Sequence, residues 1–382
     1  MNFKTNLWAR NAALLACVAG LSACETLPRF GPNKAEIFAG SVQRQGDAFV
    51  VAVDDRVTRA TAVVEALGFS SDFVNAGIIG SDTIRPGDTL TVAIWENVEQ
   101  GILAKAGAPA GLTDVQVDGQ GYIFIPYAGR IRAAGNSPEA VRRIITAKLS
   151  EQTPDPQVMV TRTAGDGATV SLTGSVGGQG VYAIERPTRT LATMLARAGG
   201  VTVPPEVAVI RVTRGGRMGK IWYKDLFDNP QLDIALRPGD KILVEQDSRA
   251  FTVLGATGAQ TRVKFDTRNI SALEAIAQVG GLMSNVADPT GVFVFRNEPA
   301  EIANQVLGRT DLVGDQRMIY VLNLTEPNGM FRARDFLIRD GDTIYVTEAP
   351  YVQWTKMISA LTGTLKAANT VPAAAAGIVP GL

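Results

Sequence analysis

Turns of one type, each followed by apolar residues at every second position, recur along this chain. Ile84-Arg85-Pro86-Gly87-Asp88-Thr89-Leu90-Thr91-Val92, Leu236-Arg237-Pro238-Gly239-Asp240-Lys241-Ile242-Leu243-Val244 and Ile338-Arg339-Asp340-Gly341-Asp342-Thr343-Ile344-Tyr345-Val346 share the pattern. Glycine tolerates positive φ, the aspartate can accept from nearby amides, and the alternation that follows has the period of a half-buried strand. A single copy is an ordinary turn, whereas three copies mark recurring modules.

A second pattern pairs the last two modules. Thr190–Gly200 aligns without a gap on Ser271–Gly281. Leu191, Leu195 and Ala198 share one helical face, Ser271 and Glu274 have capping-box spacing, and each Gly pair predicts a left-handed stop. Upstream, Val170–Gly174 matches Phe251–Gly255; downstream, Ile221–Leu226 matches Ile319–Leu324. Two tandem α+β domains follow, residues 169–247 and 250–348, each a small sheet with one helix on it. The first module belongs to a different unit, residues 82–165. There Val115–Pro126 predicts a hairpin around a Gly-rich turn, and Ser137-Pro138-Glu139-Ala140 opens a helix to about Leu149. Pro154-Asp155-Pro156 ends it before a strand at Gln157–Thr161. A helix is expected within Val51–Phe73, with no defined partner.

After Ala349-Pro350 the period lengthens. Tyr351, Trp354, Ile358, Leu361 and Leu365 form one apolar stripe, while Gln353, Lys356, Ser359, Gly363 and Lys366 fall on the other face. As a helix, residues 350–371 would extend roughly 33 Å, against a hydrocarbon core of ~30 Å. A lysine at mid-bilayer is expensive for a lone span. Two arrangements satisfy the pattern: a ring of such helices with stripes in lipid and polar faces lining water, or an amphipathic helix docked on the protein's own domains or lying in the interface. Residues 372–382 form a short, nearly uncharged tail.

Composition narrows the chemistry. At 382 residues the chain exceeds what one core usually serves, and 46% hydrophobic with 19% charged residues is ordinary folded composition. Lys+Arg and Asp+Glu both number 37, so there is no basic footprint for nucleic acid. With His 0, histidine-based nucleophilic machinery and imidazole metal ligands are excluded. Asp118, Asp240 and Asp342 are the acids open to carboxylate catalysis, but each sits in a turn that local capping explains. Gly119-Gln120-Gly121 lacks the third glycine of a dinucleotide fingerprint, and Gly219-Lys220 is followed by Ile221 where a phosphate loop needs Ser or Thr. No cofactor and no metal are called for.

The N-terminus has the anatomy of a secretory signal over residues 1–23: Lys4 and Arg10, an apolar run Ala12–Gly20, then Leu21-Ser22-Ala23 before Cys24. Leu21-Ser22-Ala23-Cys24 resembles the lipobox of bacterial lipoproteins, which implies cleavage before Cys24 and diacylation of its thiol. The alternative is a plain signal peptide with an incidental cysteine. Residues 24–81 would then be a lipidated tether and helix, and Glu25 favours outer-membrane sorting. Loss of the signal removes two of the 37 basic residues and no acid, leaving a net charge near −2.

Together these features resemble the outer-membrane polysaccharide export lipoproteins, the Wza-type capsule-export family. The matches are the lipobox, Ile84–Trp95, the Asp118-Gly119-Gln120-Gly121 segment to Gly129 with the Ser137-Pro138-Glu139-Ala140 helix, the two Gly-Gly modules and the closing amphipathic helix. The resemblance implies a multidomain α+β protein: a polysaccharide export domain at 82–165, two β-grasp-like SLBB domains, and a helix at 350–371 that joins its copies in an outer-membrane barrel. It implies a homo-oligomeric ring, octameric in the best-known relatives, with capsular or exopolysaccharide as cargo, outer-membrane lipid around it and an inner-membrane polysaccharide co-polymerase as partner. Most of the protein would lie in the periplasm, with no enzymatic activity. Lys356 and Lys366 could form cationic rings toward uronic or sialic groups, or anchor at the interface; Tyr351 and Trp354 suit an interfacial belt. The alternative function is a tethered, periplasmic glycan-binding lipoprotein without a pore.

Overall fold

The computed structural model describes residues 29–356, apart from 45, 64–65, 79–82, 97, 99–100, 104–107, 164 and 166–167, together with 358, 359 and 362. The chain forms two compact units, one from residues 65–247 and one that joins residues up to 64 to those from 248 onward. Sheets and helices are mixed throughout.

In the first unit, Thr89–Trp95 lies between Ala110–Gln116 and Gln157–Thr163, antiparallel to both. Leu90, Val92 and Ile94 point inward at the expected period and are fully buried against Val141, Ile145 and Leu149 of the helix Pro138–Leu149. Ser137 Oγ accepts from Ala140 N at 3.2 Å, and Pro138 occupies the first turn, where its missing N–H costs nothing. The expected hairpin around Gly119 is corrected. Ala110–Gln116 turns back to the Thr89–Trp95 sheet, and the hairpin is Tyr122–Ile125 with Gly129–Arg132, closed over Pro126-Tyr127-Ala128.

Each repeat has the same strand plan. In the first, the sheet runs Arg217–Trp222, Ala208–Arg214, Lys241–Gln246, Thr169–Gly174, Gly180–Ala183. In the second, Gln316–Leu322, Ala287–Glu298, Thr343–Glu348, Ala250–Gly255 and Thr261–Lys264 take those places. The central pair is parallel in both. The helices Leu191–Arg197 and Ala272–Gln278 follow as expected, and the Ser271–Glu274 capping box is present. Gly174 and Gly255 both hold φ near +90°, and a Cβ there would lie 2.0 Å from Val244 O or 2.1 Å from Val346 O, so neither position admits a side chain. The expectation of one helix per domain fails in both repeats: the first adds Asp225–Asp228, the second Ala300–Leu307 and Gly329–Asp335.

The three motif turns are superimposable in their bonding. Asp88, Asp240 and Asp342 are each at most 1% exposed. Each carboxylate accepts the amide of the arginine three residues before it, Arg85, Arg237 or Arg339, at 2.8 Å. Each also holds a strand arginine: Arg162 Nε at 2.6 Å, Arg214 at 2.9 and 2.7 Å, Arg296 at 2.8 and 2.5 Å. In the two repeats the arginine also donates to an equivalent carbonyl, Ala235 or Leu337, at 2.8 Å. Burial disfavours the charge of Arg296, but the Asp342 carboxylate outweighs it and raises the guanidinium pKa above its usual value.

The segment 29–64 is part of the second repeat. Phe49–Ala52 is a strand parallel to Gln316–Leu322 that completes a six-stranded sheet, and the helix expected within Val51–Phe73 comes after it. The helix Asp55–Thr61 follows, capped by Asp54, and Arg339 donates to the Thr61 carbonyl. The cause is the sheet's outer face. By strand register, Arg211, Thr213, Met218, Lys220 and Leu243 of the first repeat correspond to Phe293, Phe295, Ile319, Val321 and Tyr345 of the second. The first set needs no cover; the second forms an apolar cluster closed by Ile37, Phe38, Ala48 and Val50. Covering both faces removes the alternation from Ile319-Tyr320-Val321-Leu322, so the gapless match of Ile221 to Ile319 slips: register pairs Ile221 with Leu322 as equivalents.

Two outcomes follow. Asp240→Ala leaves the part-buried Arg214 without its carboxylate and should cost about 3 kcal/mol, read as lost hydrogen-exchange protection in Ala208–Arg214 and Lys241–Gln246. Val321→Lys installs the residue of the first repeat and should release Phe49–Thr61 to rapid exchange while the Ala250–Gly255 strand stays protected.

Candidate functional site

No catalytic cluster is assembled around the acids that the sequence offers. Asp240 and Asp342 are consumed by their turns. Asp118 Oδ1 accepts Gln120 N at 3.0 Å and Tyr122 N at 2.8 Å, and its Oδ2 holds Arg130 at 3.1 Å. The Tyr122 amide, more than any other contact, keeps this carboxyl below its ordinary pKa. Among the described residues no group of His, Cys, Asp and Glu could hold a metal ion.

The informative site is at Glu348, where Phe30 meets the helix that begins at Pro350. This residue ends the last strand, Thr343–Glu348, and its side chain is 8% exposed. Ala349 N donates to Val286 O at 2.7 Å, and residues 350–356 are helical, with Val352 buried. From that helix Gln353 Nε2 reaches Glu348 Oε2 at 3.0 Å, and Lys356 Nζ reaches both oxygens at 3.0 and 2.9 Å. From the opposite end of the chain Phe30 N donates to Glu348 Oε1 at 3.3 Å, and the Lys356 ammonium lies 6.0 Å from the Phe30 ring centre.

The N-terminal end is held firmly there. Asn33 and Glu36 form a capping box on the helix Lys34–Ala39, Arg29 pairs with Glu36 at 2.9 Å, and Lys34 Nζ donates to Thr290 O at 3.0 Å. Tyr345 donates its hydroxyl to Pro32 O at 2.9 Å. Burial, then the neighbouring Glu348 charge, pushes the Tyr345 phenol up to about 12, so it remains a donor at physiological pH. Around these contacts runs a groove of about 750 Å³ whose walls include Phe30, Val286, Tyr351, Val352 and Thr355.

The start of the C-terminal helix combines features of both arrangements that its periodicity leaves open. Tyr351, Trp354 and Ile358 are each more than half exposed, with relative exposures of 54%, 58% and 56%. Tyr351 nonetheless donates to Asn285 O at 2.7 Å, and the polar pair Gln353 and Lys356 is tied to the body through Glu348. Ser359 is exposed. Cys24, Leu361, Gly363, Leu365 and Lys366 lie outside the described residues. Among the described residues no helix is long and apolar enough to cross a membrane.

Sequence reasoning missed Glu348, whose partners are far away or in the next element. It also missed Arg162, Arg214 and Arg296, for which a signal exists: Val160-Thr161-Arg162, Val212-Thr213-Arg214 and Val294-Phe295-Arg296 share Val-x-Arg, though at different distances from their turns.

Comparison with known proteins agrees with this architecture. Residues 80–163 match the polysaccharide biosynthesis/export protein family and residues 249–346 the SLBB domain. The Vi polysaccharide export protein VexA/TviF of Salmonella typhi is 31% identical over 281 residues, 73% of this chain and 77% of that protein. The chain belongs to the Wza-type polysaccharide export family. Similarity to other export proteins of this kind extends further along the chain. The capsule polysaccharide export outer membrane protein CtrA of Neisseria meningitidis serogroup B is 27% identical over 373 residues, 94% of this chain and 95% of its own. The capsule polysaccharide export protein BexD of Haemophilus influenzae is 28% identical over 378 residues, covering 91% and 95%.

Glu348→Gln should weaken the lysine contact and loosen both ends. Amide exchange at 350–356 and at Phe30 should rise several-fold while the sheet's protection holds, since a partly exposed pair contributes only about 1 kcal/mol.

Proposed function

We propose that this chain is the subunit of an outer-membrane channel that exports capsular or exopolysaccharide. The observation that carries this is the convergence at Glu348 of Phe30 and the helix that begins at Pro350. Arg29 follows Cys24 by five residues, at most about 18 Å of extended chain. An acyl chain on Cys24 and the helix that begins at Pro350 therefore leave the body from one place, which becomes its membrane-proximal surface. Exposed Tyr351 and Trp354 sit there at the height of an interfacial belt, with Ile358 one turn further toward lipid.

Continued over residues 350–371, the stripe of Tyr351, Trp354, Ile358, Leu361 and Leu365 faces lipid. Gln353, Lys356, Ser359, Gly363 and Lys366 turn to a water-filled lumen shared by a closed ring of copies, eight if the best-known relatives are a guide. A polar lumen lets a hydroxyl-rich polymer slide by exchanging hydrogen bonds with water and side chains, with no catalytic step. The Glu348–Lys356 contact neutralises the lysine nearest the body, which leaves Lys366 as the cationic ring for acidic sugars. A polysaccharide co-polymerase in the inner membrane supplies the polymer from the periplasmic side. A tethered glycan-binding lipoprotein without a pore is the competing reading, favoured by the docking of Gln353 and Lys356 on the protein's own body.

The deciding measurement is the mass of the detergent-extracted protein with and without residues 351–382. The channel requires a large closed ring with an axial lumen for the full chain and loss of surface polysaccharide in the truncated strain. A full-length monomer, or wild-type export after truncation, removes the pore.

A further inference from the structure

The outward face of the hairpin Tyr122–Ile125 and Gly129–Arg132 has no use in the fold. Ile123, Ile125 and Ile131 point into the core, so the opposite face presents Tyr122, Phe124, Arg130 and Arg132, paired across the strands as Tyr122 with Arg132 and Phe124 with Arg130. Phe124 is 67% exposed, and Tyr127 at the tip 58%. Large aromatic rings held in water beside cations mark an interaction site more often than a solvated surface.

The arginine is held in advance. Arg130 Nη2 donates to Gln120 Oε1 at 2.7 Å and Asp118 Oδ2 at 3.1 Å, and its guanidinium lies 4.2 Å from the Tyr122 ring centre. Both bonds use Nη2, and the guanidinium has further N–H donors on Nε and Nη1 with which to bond an incoming group. The tip is braced as well: Ala128 N bonds Ile125 O at 3.1 Å, and Lys148 from the helix Pro138–Leu149 donates to Ala128 O at 3.2 Å. Tyr127 holds φ +64°, the left-handed region that an aromatic side chain rarely occupies; the other non-glycine residues there, Asp114 and Asp155, are of a type that tolerates it. A strained backbone that displays a tyrosine in water does nothing for folding.

We propose that this hairpin face is a contact site for an anionic glycan segment, with sugar rings stacked on Phe124 and Tyr127 and a sugar carboxylate received by Arg130 and Arg132. The inference rests on the reading of polysaccharide as cargo and adds where this chain touches it. A glycan is favoured over a protein because the patch offers a few rigid rings and fixed planar hydrogen-bonding groups and carries a net positive charge, Arg130 and Arg132 against Asp118.

The test uses the full-length detergent-extracted protein and calorimetric titration with hexagalacturonate, an acidic oligosaccharide, and maltohexaose, its uncharged counterpart. The wild type should bind hexagalacturonate at least tenfold more tightly than maltohexaose. Phe124→Ala and Arg130→Gln should each weaken hexagalacturonate binding about tenfold. Tyr127→Gly should weaken it several-fold while the melting temperature holds or rises, because glycine relieves the φ; a binding loss is then not a folding loss. Unchanged binding in all three variants, or no binding by the wild type, overturns the site. Variants that bind like the wild type but lose surface polysaccharide assign the face to a protein partner and also overturn it. Ring mass and the 351–382 truncation are read separately, so the channel can stand when the hairpin site falls, and the reverse.

Discussion

A carboxylate buried in a tight turn organises this chain three times. Removing Asp88, Asp240 or Asp342 from water is costly, and the cost is met only if each oxygen is occupied. The turn supplies one partner, the amide of the arginine three residues back, and a neighbouring strand supplies the other, an arginine at the end of its Val-x-Arg run. The pair therefore specifies register. In both repeats the arginine stands directly opposite the aspartate across the antiparallel ladder, one position beyond Thr213–Lys241 and Phe295–Thr343. A slip of one residue would turn that arginine to the other face and strand a buried charge. In the export domain Arg162 instead pairs in register with Leu90, two residues past Asp88, so the same turn has been fitted to a different sheet.

The two repeats then diverge in how they close the ground around this pair. In the second, Glu298 and Tyr320 are fully buried, and Glu298 accepts from Arg296, Arg339 and the Tyr320 hydroxyl. Burial, then the Glu298 charge, raises the Tyr320 pKa well above that of a free phenol, so it serves as a donor only. Register puts Gly216 and Gly219 of the first repeat at the places of Glu298 and Tyr320. The space left by Gly219 is taken by Phe69, whose ring would collide with any Cβ there, and Phe73 stacks beside it. Arg214 lies over Phe73 as Arg296 lies over Tyr320 and Phe336. A polar network in one copy is thus replaced by an aromatic plug from the preceding segment in the other, while the aspartate and its arginine are kept.

What could be read from the sequence was whatever is local. The turns, the Ser137 cap, the Ser271–Glu274 box and the paired glycines all depend on residues within a few positions of each other, and each is found as the spacing predicts. What escaped depends on partners far along the chain. Phe49–Ala52 has strand-forming residues, but nothing near it in the sequence says which sheet it joins; it becomes the sixth strand here because Phe293, Ile319 and Val321 need cover. The same cover erased the alternation that would have revealed the register of Gln316–Leu322. At the chain's ends the periodicity of Tyr351, Trp354 and Ile358 was visible, but Glu348 was not, since an acid closing a strand carries no mark of the backbone amide of Phe30 that will find it.

These contacts tie together residues that are very far apart along the chain. Pro32 and Tyr345, which share a hydrogen bond, are 313 residues apart. Without Phe49–Ala52 the second repeat would be a five-stranded sheet with an exposed apolar face. That face is an aggregation hazard, as is the open edge of Gln316–Leu322. The segment from Arg29 to Thr61 covers the face, pairs the edge and brings Phe30 to Glu348. Glu348 holds Gln353 and Lys356 as well, so the same residue also fixes the base of the C-terminal helix. The direction in which this helix starts is therefore set jointly by the last strand and by the segment that begins at Arg29.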